Sequence, residues 1–96
     1  MIEVKELELH GKKMQGLRAD LPRAPLVVVI APNGYIMCGY LNIETAEKLG
    51  QAAAIVRGVK NFDDMLNGRI AAATSQARKL GVVEGMLGSD AIKKMI

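Results

Sequence analysis

Apolar and polar positions alternate through the first part of the chain. In residues 2–10, Ile2, Val4, Leu7 and Leu9 sit between charged neighbours, the period of a half-buried strand. The alternation slips once near Glu6, which marks either a bulge or an edge strand. Gly11, Lys12 and Lys13 supply a turn, and residues 14–21 alternate weakly through Leu17, Ala19 and Leu21. The two segments together predict a hairpin. Pro22 and Pro25 interrupt the pattern. Residues 26–31, LVVVIA, are then apolar throughout and mostly β-branched, as in a strand covered on both faces. Pro32-Asn33-Gly34 predicts a tight turn, since Asn and Gly tolerate positive φ. Residues 35–41 form the returning strand, which carries both Tyr35 and Tyr40 and points them to opposite faces. These two strands are expected at the centre of a sheet.

After Leu41 the period changes. Asn42 is suited to cap a helix over residues 43–50, with Glu44 and Glu47 favouring its amino-terminal dipole. Residues 51–60 read as strand or as continued helix. A strand near residues 54–59 is preferred because Gly58 weakens a helix and Asn61 resembles a fresh N-cap. Residues 62–66 follow as a short helix closed by Gly68. In residues 70–80, Ile70, Ala73, Ala77 and Leu80 form one stripe, which predicts a helix with Gly81 just beyond its end. Residues 82–88 are an extended link, and Ser89 is the expected cap of a last helix. The order is four strands, helix, strand and three helices. It predicts an α+β single domain over residues 1–96: a mixed sheet of about five strands, begun by amino-terminal hairpins, with helices packed on one face.

Composition narrows the picture. Half of the 96 residues are hydrophobic but only 3% are aromatic, so the core is built from Val, Ile, Leu, Ala and Met. So high an apolar fraction in so short a chain predicts apolar surface left open on the monomer, and hence a homo-oligomer. The lone cysteine, Cys38, fits a reducing compartment. Glu3 and Glu6 stand where a signal peptide would carry positive charge, and the longest apolar run falls far short of the ~20 residues that span a bilayer. The expectation is a cytoplasmic chain with no membrane partner. The net charge of +3 is spread out, without the basic runs that mark a nucleic-acid partner.

Residues 33–42, NGYIMCGYLN, resemble the hallmark of the YunC family. RGVKNFDDML (57–66) is similar to that family's second strand–helix unit. Residues 77–95 are similar to its carboxyl-terminal pattern of a helix, a glycine, and a Gly-Met-x-Gly turn into a last helix. The resemblance implies a small prokaryotic α+β domain of unknown function and no particular reaction. The positions that match the family's pattern are Asn33, Gly34, Tyr35, Cys38, Gly39, Gly85, Met86 and Gly88, which stand as candidate ligand-binding residues.

Cys38 is the one candidate catalytic residue. A nucleophilic thiol needs a helix amino terminus, a cation or a base beside it. The helix after Asn42 is placed to supply the first, and His10 is the only histidine available as a base. The other reading of Cys38 is a small core side chain. Gly39 beside it allows close approach of a ligand or another backbone. The Gly85–Ser89 turn matches neither a P-loop nor a dinucleotide fingerprint, and Asp90 behind it would repel an anion, so it reads as a structural turn. Asp63 and Asp64 read as dipole partners of the helix they open. Arg57 and Arg69 either meet an anionic group or lie over the apolar sheet. One Cys and one His make no zinc pattern, and no cofactor motif is present. The chain is therefore expected to be a non-catalytic module that binds a small molecule or a protein and self-associates. The alternative is a small enzyme using the Cys38 thiolate.

Overall fold

The computed structural model describes residues 1–9 and 11–96. It holds one six-stranded sheet whose strands lie side by side in chain order. Strands β1 (Ile2–Leu9), β2 (Lys12–Ala19), β3 (Leu26–Ala31) and β4 (Gly34–Met37) form an antiparallel meander. Helix α1 (Ile43–Lys48) then carries the chain to β5 (Ala53–Val56), which pairs parallel to β4. Helix α2 (Phe62–Asn67) leads to β6 (Ile70–Ala73), antiparallel to β5, and α3 (Ser75–Lys79) and α4 (Gly88–Lys93) complete the chain. The α+β class and the mixed sheet are as expected, with six strands where about five were read.

The slip near Glu6 is not a bulge. β1 pairs with β2 through eight consecutive positions without a shift. Its consequence is that the apolar side chains divide between the two faces: Leu7 and Leu9 pack against the core, whereas Ile2 and Val4 are exposed on the reverse face. β1 is a regular edge strand.

The bulge lies at the other edge. Ala54 faces Ala73 and Ile55 faces Ala72, but Val56 faces Ile70, so Ala71 is left over. This corrects the reading of residues 70–80 as one helix. The extra residue lets Ile70 and Ala73, three apart, both turn into the core. A bulged strand has thereby taken on the spacing of a helix.

The chain switches from strand to helix at Thr74, which is fully buried. Its hydroxyl oxygen accepts the N–H groups of Ala53 (3.0 Å) and Ala77 (3.3 Å), and its proton goes to the Gln51 carbonyl at 2.7 Å. One side chain thus caps α3 and ties it to the entrance of β5.

The capping expectations at Asn42 and Asn61 hold. Their side chains accept the N–H groups of Thr45 and Asp64 at 3.0 and 2.7 Å. Asp64 accepts in return from the Lys60 N–H at 3.1 Å. Gly81 follows the α3 cap with φ +102°, as a C′ glycine should. Ser89 is not the cap of the last helix. α4 begins at Gly88, two residues earlier than a Ser89 cap would set it, behind Leu87 and with no side-chain cap.

The core gathers Val27, Val29, Ile36, Ala54 and Val56 from the sheet with Met65, Ala77 and Ile92 from the helices and Met95 from the turn after α4. α2 and α4 lie against each other and over β3 and β4. No helix among the described residues is long and apolar enough to cross a membrane.

Candidate functional site

β4 and β5 are the parallel pair of the sheet, and their carboxyl ends lie together. Crevices beyond the carboxyl ends of parallel strands are recurrent ligand sites, because the chains that leave the strands part there. After Met37 the chain runs one residue further along β3, where the Cys38 N–H donates to the Val27 carbonyl at 3.0 Å. It then turns, closed by the Leu41 N–H on the Cys38 carbonyl at 3.1 Å. This corrects the returning strand: it stops at Met37, so Tyr40 stands beyond it and not on the same strand as Tyr35.

Between this turn and the end of β5 lies a cleft of about 250 Å³ lined by Ala24, Pro25, Cys38, Gly39, Tyr40, Gly58 and Val59. The Tyr40 hydroxyl donates to the Ala24 carbonyl at 3.3 Å, joining two walls. The Cys38 side chain, only 4% exposed, forms part of the floor. Its sulfur accepts the Val27 N–H at 3.5 Å, which fixes it as a packed group of the core. His10, the only histidine, lies outside the described residues.

Arg57 stands at the rim. A Cβ built on Gly39 would be 3.6 Å from its Nη1, so Gly39 brings the backbone beside the guanidinium. Arg57 is exposed, and among the described residues its side chain makes no hydrogen bond or ion pair. The result is a mainly apolar hollow with a free cation at its edge.

The remaining candidates lie elsewhere. Asn33, Gly34 and Tyr35 occupy the opposite end of β4. Gly34 does not have positive φ. It is required instead by close approach, since a Cβ there would lie 2.7 Å from the Ala52 carbonyl oxygen and 3.0 Å from the Met95 sulfur. The Asn33 N–H donates to the Met95 carbonyl at 2.8 Å, and the Tyr35 hydroxyl donates to Gln51 Oε1 at 2.6 Å. Burial raises the Tyr35 pKa above its ordinary value. These three residues join the hairpin to the last helix and to β5.

Gly85, Met86 and Gly88 form another junction. Gly85 and Met86 exchange backbone hydrogen bonds with Ile70, and the Gly88 N–H donates to the Gly68 carbonyl at 2.9 Å. Arg69 donates to the Gly85 carbonyl at 3.2 Å. The turn holds α4 to α2 and β6. Of the eight candidates, Cys38 and Gly39 alone line the cleft, which sequence reasoning completes only with Ala24, Pro25, Tyr40, Gly58 and Val59. Among the described residues no group of three or more His, Cys, Asp or Glu side chains is arranged to hold a metal ion.

Comparison with known proteins places this geometry. The uncharacterized protein YunC of Bacillus subtilis (strain 168) is 29% identical over 100 residues, covering 100% of this chain and 99% of the relative. A protein of unknown function from Thermoplasma acidophilum, known from its crystal structure, superposes with a TM-score of 0.96 at 40% identity. That match covers 100% of this chain and 94% of the other. The family described as a domain of unknown function, DUF1805, matches residues 37–95, from the last residue of β4 through α4 and with it most of the cleft. On that match, which spans well over half of its length, the chain belongs to the DUF1805 family.

Proposed function

We propose that this chain is a non-catalytic binding module that takes a small anionic ligand in the cleft at the carboxyl ends of β4 and β5. The observation that carries the reading is the pairing of an apolar hollow with the guanidinium of Arg57 at its rim, unpartnered among the described residues. A guanidinium recognises a carboxylate or phosphate through its fork of N–H donors. Pro25, Tyr40 and Val59 offer the apolar contact that a short hydrocarbon body needs. At about 250 Å³ the cleft is below the ~300–1,000 Å³ typical of drug-sized ligands, which limits the occupant to something smaller than a nucleotide. Cys38 serves as part of the floor: its sulfur is held by the Val27 N–H.

The test is a two-dimensional NMR titration of the whole chain with acetate, butyrate and inorganic phosphate. Saturable shifts are expected at the amides of Gly39, Tyr40 and Gly58, stronger for butyrate than for acetate and lost in Arg57→Ala. Shifts that do not saturate with any of the three, or that persist in Arg57→Ala, would remove the reading.

A further inference from the structure

The outer edge of β1 is the longest open hydrogen-bonding surface on the described molecule. β1 lies at the end of the sheet and pairs on one side with β2 across eight positions. The Asp20 N–H donates to the Met1 carbonyl at 2.9 Å. In an antiparallel ladder hydrogen-bonded pairs alternate, so the odd-numbered residues of β1 bond to β2. The N–H and C=O groups of Ile2, Val4, Glu6 and Glu8 therefore point outward. Open edges of this length pair with another chain unless something blocks them.

Among the registers that pair five or more residues of β1 with a second copy, its charges allow one. Two copies related by a two-fold axis normal to the sheet pair antiparallel, and facing residue numbers then sum to an even number. A sum of 6 sets Glu3 on Glu3, a sum of 10 sets Lys5 on Lys5, and a sum of 12 sets Glu6 on Glu6. A sum of 14 sets Glu6 on Glu8. At a sum of 8 no like charges face. Val4 then meets Val4 on the axis, Glu3 meets Lys5 twice, and Ile2 meets Glu6 twice. Opposite charges facing across strands stabilise a pair and like charges weaken it, so the same residues that favour this register disfavour its neighbours.

The reverse face supports the same partner. Val4, Leu17, Val28, Met37 and Ile55 form one cross-strand row by register. The row is buried at Val28 and Ile55 but open at its β1 end, where Val4 is 65% and Ile2 72% exposed. With Val4 on the axis, the rows of two copies meet end to end.

We propose that β1 is the surface through which two copies of this chain associate, edge to edge and antiparallel, with Val4 on the two-fold axis and Glu3 opposite Lys5 of the second copy. The product is a continuous twelve-stranded sheet. It leaves the cleft at the ends of β4 and β5 open.

The test is sedimentation equilibrium of the whole chain and of Lys5→Glu and Glu3→Lys, with far-UV circular dichroism as the check on folding. Both side chains are exposed. The unaltered chain is expected at dimer mass. Each substitution sets like charges opposite each other at two places, and each alone is expected to raise the dissociation constant by about tenfold or more. Mixed in equal amounts, the two variants form a heterodimer in which every facing pair is again opposite in charge, and dimer affinity returns. Monomer mass for the unaltered chain at ~1 mM, where a Kd of that size corresponds to only about −4 kcal/mol, would overturn the proposal. So would dimers indifferent to both substitutions, or variants that stay monomeric when mixed.

Discussion

At Gly88 the backbone of α4 passes so close to α2 that a Cβ would press into the Met65 carbonyl. The glycine is there for contact, since its φ is not positive. Gly85, three residues earlier, is the opposite case: φ is +90° and a Cβ would meet nothing. Gly88→Ala must separate two helices, an overpacking cost of about 1–3 kcal/mol or more. Gly85→Ala carries only local strain, on the order of 1 kcal/mol. Thermal melts followed by circular dichroism are expected to show Gly88→Ala lower by on the order of 10 °C and Gly85→Ala by about half of that. Equal melting points would refute the packing argument. Both glycines stand out in the sequence, and so does Gly34. The reasons for Gly34 and Gly88 do not, because a close approach involves a second segment that spacing along the chain cannot place.

Among the elements, α1 and α3 are joined at their surfaces. The Glu47 carboxylate accepts the Ser75 hydroxyl and also the Ser75 N–H at 2.8 Å, at the first residue of α3. The Ser75 hydroxyl, the Ser75 N–H, and the charges of Arg78 and Lys79 together lower its pKa below the usual glutamate value. A group with a depressed folded pKa contributes stability above its unfolded pKa, near ~4.3 for glutamate, and that contribution disappears as pH falls through the folded value. Urea midpoints of the wild type and Glu47→Gln are therefore expected to differ at pH 7 and to converge below about pH 4. A constant difference across that range would show that the carboxylate charge plays no part. The sequence marked Glu47 only as a charge favouring the amino-terminal dipole of α1, whose first turn holds Glu44 alone, and did not mark Ser75. α3 itself was concealed inside a longer apparent helix, because alanines at 71–73 favour helix intrinsically and the bulge at Ala71 reproduced a helical stripe. Pairing with β5 and the buried Thr74 hydroxyl outweighed local propensity.

Over the whole molecule, the amino-terminal hairpins and the central place of β3 and β4 could be read because those pairings join neighbours in the chain, whereas β6 was hidden in an apparent helix. The cleft could not be read. Its walls come from residues 24–25, 38–40 and 58–59, which converge only once β3, β4 and β5 are aligned. The family-like positions proved to mark three places: the cleft and two packing junctions. Stability is expected to follow the same layout. The amides of Val27, Val29, Ile36 and Ala54, on strands paired on both sides and buried in the core, should exchange slowest, and those of β6 faster. Native-state hydrogen exchange measured by NMR decides this, and uniform protection across the sheet would count against it. The place of α4 bears on how the molecule is made. Ala91 and Ile92 of α4, and Met95 just beyond it, are fully buried among side chains supplied by much earlier strands. During synthesis the strands can assemble one after another as they emerge, yet their apolar surface stays uncovered until α4 has left the ribosome. α4 thus arrives as a plug for a surface that the earlier strands have already laid out.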